Sequence, residues 1–286
     1  MPKHNINGPL SEFYHYIWGY IIPLLLIIIN NNLKKQNLYF ENCGDIVDKV
    51  SVQLFKDIGI KANFNYNLKH NSEFDISYKV LRLDSHFTGL AYLSSKNYFM
   101  YFVNCSILLL KANQFPMFRL SNNLISQFNN LRYFLTEIIY SKFKHFINKY
   151  KDKTIIIKRE LRENNDGTIL KDYGATRKSL SGIDKFMEDN NSLFDFEIYD
   201  AAKISLIEQI ACFMIAKNVI GVRGAEFAHL VWMQKEARAI LINTDPWDSP
   251  TFILSRINKV DFKIIESTEG RHPDINNYSI SKLLLK

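Results

Sequence analysis

A chain of 286 residues is long for one compact domain and suits two, each able to bury its own core. Its 47% hydrophobic and 23% charged residues, with 21 Phe and 15 Tyr, exclude a disordered chain and supply ample core and binding-surface material. The formal charge of +7 favours polyanions, nucleotide phosphates or anionic surfaces, but the lysines are scattered, as at Lys142, Lys144, Lys149, Lys151 and Lys153. A solvated helix face accounts for that run, and nucleic-acid binding, which needs a denser stripe, is not expected.

In chain order, Tyr16 to Ile29 comes first: an apolar run interrupted by Gly19 and Pro23, with no basic segment before it and no small-residue cleavage site after it. A membrane span needs about 20 apolar residues, so a buried core helix and a soluble protein are expected. A brief strand at Asn37 to Phe40, a helix at Val47 to Ile58 and a strand at Phe74 to Leu83 follow. Tyr98 to Leu110 has the aromatic and β-branched density of a buried strand, with helix as the alternative. From 121 to 150, Leu124, Phe128, Leu131, Phe134, Leu135 and Ile138 recur at three and four spacing and predict a long amphipathic connecting helix.

The second half alternates regularly. Strands are expected at Lys153 to Lys158, Phe194 to Tyr199, Asn218 to Val222 and Ala239 to Ile242, with helices at Ile183 to Met187, Ser205 to Ala216 and Glu226 to Met233. Such alternation implies a parallel sheet, whose ligands lie outside the carboxyl ends of its strands. Lys158, Arg159, Asp200, Arg223, Thr244 and Asp245 fall on that edge. Cys43, Cys105 and Cys212 form no CxxC pair and no metal-ligand spacing. They read as buried free thiols in a reducing compartment, so a cytoplasmic location is expected, the host cell's cytoplasm if the chain is viral.

The sharpest local feature is Val219 to Glu226, a strand entering a small-residue turn that starts a helix. Gly224 lets the main chain approach a ligand, the helix start attracts anions and Arg223 adds a bidentate phosphate donor, although a glycine at such a junction also serves packing. Arg159, with Lys158 and Arg162 beside it, projects onto the same edge, unless Glu160 and Glu163 pair with these arginines at the surface. Two cationic groups converging on one diphosphate would stabilise a nucleotide leaving group as a glycosidic bond breaks.

These residues resemble the signature of family 61 glycosyltransferases. That family has a strand ending in Ile-Ser-Arg, a helix with Leu-x-x-Gln, and a strand leading into His-Gly-Ala-Gly-Leu-Thr-Asn. This chain has Ile157-Lys158-Arg159, Leu206 to Gln209, and Arg223-Gly224-Ala225-Glu226-Phe227-Ala228-His229, in that order, followed by Trp232-Met233. Glu12 to His15 before Ile22-Pro23 is similar to the family's aromatic-aromatic-His motif, and Val50 to Gly59 to its segment ending in Leu-Gly. The chain departs from the pattern at Arg223, at His229 and at Glu226, whose carboxylate would repel a phosphate unless it meets a sugar hydroxyl or Arg223.

The resemblance implies an α/β GT-B architecture of two Rossmann-like domains facing a cleft. Residues 1–150 would bind the acceptor and residues 151–286 the nucleotide sugar, with a last helix, about 275–286, crossing back to the first. It implies an inverting transferase that needs no metal and takes a UDP-sugar, xylose ahead of N-acetylglucosamine, to a glycan or glycoprotein hydroxyl. Lys158, Arg159, Arg162 and Arg223 to Phe227 with His229 would bind the donor. His15 is the base candidate, being an imidazole ahead of the first helix, and Asp84 the reserve, with His86, Glu12 and Asp75 behind it. A catalytically silent glycan-binding protein on the same fold is the alternative. A Rossmann dehydrogenase or methyltransferase is disfavoured because no strand is followed by G-x-G-x-x-G.

Overall fold

The computed structural model of the chain describes residues 17, 21–30, 32–35, 38–40, 45–64, 76–84, 87–94, 98–102, 122–159, 178–244, 255, 258–270 and 272–285. The chain divides into two compact units, residues 1–138 with 205–207, and residues 139–204 with 208–286.

In the first unit the apolar run folds as helix α1, Ile22–Asn30, and Ile17, Ile21, Ile22, Leu25 and Ile28 are buried. Among the described residues no helix is long and apolar enough to cross a membrane. Strands β1 (Leu38–Phe40) and β2 (Ala62–Phe64) pair in parallel across helix α2 (Asp45–Asp57). That helix buries Ser51, Leu54, Phe55 and Ile58 follows it into the core, at the three and four spacing of one helical face.

Strands β3 (Ile76–Asp84), β4 (Phe87–Ser94) and β5 (Tyr98–Phe102) form an antiparallel meander. Residues 85–86 and 95–97 connect them, too few for the crossover that a parallel pair requires. Among the described residues the first half thus shows one βαβ unit and an antiparallel sheet. Tyr98–Phe102 is strand as expected, and residues 103–110 lie outside the described residues. The connecting helix is real but broken at Phe143: α3 runs Asn122–Lys142 and α4 Lys144–Tyr150. Phe128, Leu131 and Leu135 make its buried stripe.

The second unit holds five parallel strands: β6 (Thr154–Ile157), β7 (Phe196–Tyr199), β8 (Asn218–Val222), β9 (Arg238–Asn243) and β10 (Asp261–Glu266). Their order is β10-β9-β8-β6-β7. Helices α5 (Ile183–Asn190) and α6 (Leu206–Ile215) and a 3-10 helix, Ala225–Trp232, lie in the connections and supply the crossovers.

The central strands are buried on both faces, which is why they read as unbroken apolar runs. On one face Ile156, Ile220, Val222, Ile240 and Ile242 pack with Leu180, Ile183, Phe186, Ile275, Ile280 and Leu284. Ile155, Ile157, Val219 and Leu241, the alternate positions, are buried as well. Asn218 Nδ2 donates to Thr154 Oγ1 at 2.9 Å in the interior and pins β8 against β6.

Strand β10 escaped the sequence reading because Asp261, Lys263 and Glu266 dilute its apolar pattern at the edge of the sheet. Edge charges of this kind also discourage pairing with another chain. Helix α7 (Ile280–Leu284), expected to cross back to the first half, contributes Ile280 and Leu284 to this half's own core. Arg238 ties it down: its Nε donates to Asp261 Oδ2 at 2.7 Å and its Nη1 to the Leu283 carbonyl.

Candidate functional site

The five described strands of the second unit's parallel sheet end on one edge, and the strand order reverses between β6 and β8. In doubly wound sheets the crevice at that reversal is where ligands bind. Strand β6 runs directly into Lys158 and Arg159, and β8 into Arg223 and Gly224, so the two motifs flank the reversal point.

Between them lies a buried ion pair. Arg159 Nε donates to Glu226 Oε1 at 2.9 Å, and Nη2 donates to Oε2. Nη1 donates to the carbonyls of Lys178 (3.3 Å) and Arg223 (3.4 Å). These contacts engage four of the five guanidinium N–H groups. The two side chains are 7% and 10% exposed, so the pair is largely shielded from solvent. Separating such a pair leaves an uncompensated buried charge and costs about 3–5 kcal/mol. The repulsive carboxylate expected at Glu226 is thus neutralised, and by Arg159 instead of Arg223.

Gly224 has an extended backbone open to any residue, φ −179°, so conformation does not demand glycine there. Space does: a Cβ at Gly224 would overlap the Arg159 guanidinium. The close approach foreseen for a ligand is made by an arginine of the same chain.

Two expected donor contacts lie in the core. Phe227 and His229 have no exposed surface, and Phe227 meets Phe262 edge-on at 6.5 Å between centroids. This corrects their assignment as side chains facing a donor; they pack beneath the turn. Gln209 Nε2 donates to the carbonyls of Ala201 (3.1 Å) and Ile204 (3.2 Å), so its Oε1 accepts from His229 Nε2 at 3.2 Å and fixes the proton on that nitrogen. Burial lowers the His229 pKa to about 3, and the ring is neutral at physiological pH. The pair links the loop after β7 to the helix after β8.

Tyr199 ends β7 with a buried hydroxyl, and burial pushes its pKa well above the ordinary value. The ring meets Phe213 edge-on at 5.4 Å, and Phe213 lies 5.2 Å from His229. Asp200, just beyond β7, accepts from Ala202 N at 3.1 Å and pairs with Lys203 at 3.1 Å. Lys158 is exposed on the same edge, while Arg223, Gly224 and Ala225 are half-buried there. Arg162, Asp245, His15, Glu12, Asp75 and His86 lie outside the described residues. Asp84 closes β3 in the first unit, and its side chain lies outside them too.

Sequence reasoning missed the segment 178–182, whose Lys178 carbonyl Arg159 grips, because it follows a long polar stretch without periodicity. It named Gln209 but not its role. The signal was present in the polar positions: beside one glutamate each, Glu208 and Glu226, Gln209 and His229 are the polar residues of two mainly apolar helices. Among the described residues no three His, Cys, Asp or Glu side chains stand together as metal ligands.

No curated protein matches the chain. The sequence model of the family described as glycosyltransferase 61 matches residues 13–240, which takes in Arg159, Gln209 and the Arg223 to His229 turn. That match spans most of the 286 residues and both units. With its motif residues gathered where the order of a parallel sheet reverses, the chain belongs to the family 61 glycosyltransferases, enzymes that transfer a sugar from a donor to an acceptor.

Proposed function

We propose that the chain is an inverting, metal-independent transferase that moves a sugar from a UDP-sugar, xylose ahead of N-acetylglucosamine, to a hydroxyl of a glycan or glycoprotein. In this reading the chain has the two halves of a GT-B enzyme, residues 1–150 serving the acceptor and 151–286 the donor. The observation that carries it is the position of Arg159 and of Arg223 to Glu226 at the ends of adjacent strands β6 and β8, where the sheet order reverses.

The diphosphate lies over the turn after β8. Arg223 and Lys158 supply its positive charge, and the backbone N–H groups of Gly224 to Glu226 supply hydrogen bonds. Arg162 joins them. Arg159, neutralised by Glu226, shapes the turn and adds little net charge of its own. Phe227 and His229 support this surface from beneath. Cationic groups do the work of a divalent ion, stabilising the nucleotide as it departs. On the acceptor side His15 takes the hydroxyl proton as the oxygen attacks, a contribution of about 10²–10⁴-fold, with Asp84 in reserve. The buried thiol of Cys212 suits a protein of a reducing compartment such as the cytoplasm.

Calorimetric titration of the whole chain with UDP, with and without a chelator, tests the donor assignment. Binding indifferent to chelator and weakened at least tenfold in Arg223→Ala is expected. Binding that disappears with chelator would overturn metal independence. No affinity for UDP, with stabilisation by free glycans alone, would replace the transferase assignment with glycan binding on the same fold.

A further inference from the structure

The edge that carries Arg159 continues into two loops. Arg159 Nη1 grips the Lys178 carbonyl, and the next residue, Ser179, places its Oγ 2.9 Å from Nδ1 of His272. His272 belongs to a segment that leaves the carboxyl end of β10, where Ser267 N donates to the Asn243 carbonyl at 2.8 Å. The two segments run side by side: Ser181 N donates to the Pro273 carbonyl (3.0 Å) and Ile275 N to the Ser181 carbonyl (3.1 Å). His272 lies beyond residue 240, outside the family match.

An exposed loop ordinarily needs few bonds of its own. This one is cross-braced. Glu269 accepts from Asp274 N (2.9 Å) and Asn277 Nδ2 (2.9 Å). Asp274 accepts from Asn276 N (2.9 Å) and Nδ2 (2.7 Å), and Asn276 Nδ2 also reaches the Gly182 carbonyl at 2.9 Å. Gly182 has φ +68°, and a Cβ there would overlap Asp274 and Asn276. The core takes Ile275 from this loop, with Tyr278 packed against it. The remaining bracing holds the outermost layer, where the Ser179–His272 contact is itself exposed. Holding a polar pair rigidly at a ligand-binding edge is how a recognition site is pre-organised.

We infer that Ser179 and His272 form a second phosphate-contacting element of the donor site, Ser179 fixing the ring through Nδ1 and Nε2 on the ring's far side donating to a diphosphate oxygen. The inference rests on the transferase reading above. It answers a deficit in that site: the Arg159 charge is spent on Glu226, so the leaving diphosphate needs hydrogen-bond donors from elsewhere.

The test is titration of the full chain with UDP, inorganic pyrophosphate and uridine, using wild type, His272→Ala, Ser179→Ala and Arg223→Ala. His272→Ala is expected to weaken UDP and pyrophosphate about 10- to 100-fold, the size of one hydrogen bond to a charged group, with uridine affinity and melting temperature unchanged. Ser179→Ala, which only releases the ring, is expected to lose less. Wild-type affinity in His272→Ala beside a weakened Arg223→Ala overturns the inference and leaves the transferase reading intact. An equal loss for uridine puts the pair at the nucleoside and overturns the phosphate assignment. No binding of UDP or pyrophosphate by wild type removes both the reading and the inference.

Discussion

The Arg159 guanidinium occupies the space that a side chain at Gly224 would fill. A methyl group there forces the arginine away from Glu226, which then stays buried without its partner. Gly224→Ala is expected to cost about 3 kcal/mol by the penalty for breaking a buried pair, measured by urea denaturation. A loss below about 0.5 kcal/mol, the range of a neutral surface change, would mean that the guanidinium swings aside freely.

Arg159 and Glu226 should also depend on each other more than on anything else nearby. Each single change, Arg159→Met or Glu226→Gln, strands a charge or removes its counterion, with a loss of about 3–5 kcal/mol expected. The double variant is expected to lose clearly less than the sum, since neither charge is then left alone. Strict additivity in denaturation experiments would show that the two side chains do not interact in solution.

His229 makes acid stability depend on one ring. Its folded pKa of about 3 lies below the unfolded value near 6.5, so below pH 6.5 the unfolded chain takes up the proton more readily. The contribution of this group to stability is complete above pH 6.5 and is lost as pH falls toward 3, at up to about 1.4 kcal/mol per pH unit. His229→Asn retains an N–H donor for Gln209 and does not titrate. Its urea midpoint, compared with wild type between pH 7 and 4, should show a shallower decline; parallel curves would mean the ring is not buried and neutral.

Burial pushes the Cys212 thiol well above its ordinary pKa, and the thiolate is the reactive form. Alkylation followed by peptide mapping is expected to leave Cys212 unmodified in the native protein and to label it in denaturant. Labelling at comparable rates in both states would contradict its place in the core.

The centre of the second half was legible because its inner strands are buried on both faces and separated by helices, so β6, β8 and β9 stand out as apolar runs. The carboxyl edge of the sheet followed from that alternation, and Arg159 and Arg223 lie just beyond the ends of β6 and β8. Which side chains face that edge was not legible. Phe227 and His229 follow the motif in sequence, but the tight 3-10 helix after Gly224 turns them inward, and no linear pattern distinguishes that from a helix presenting them outward. The partner of Glu226 was hidden for another reason: it lies on a different strand, and only the pairing of β6 with β8 brings it near. In the first half, antiparallel pairing follows from the short links at 85–86 and 95–97, but those links become visible only once the strand ends are known.

The chain lays β7 outside β6 before returning to set β8 on the other flank of β6. The contacts that close β6 on β8 therefore span long stretches of chain: 67 residues from Arg159 to Glu226 at the carboxyl edge and 64 from Thr154 to Asn218 at the opposite end. A nascent chain released after β7 carries Arg159 but neither its counterion nor the turn that surrounds it. Under the proposed donor assignment, recognition is withheld from every unfinished version of this sheet, and affinity for a nucleotide diphosphate doubles as a certificate that its centre has closed.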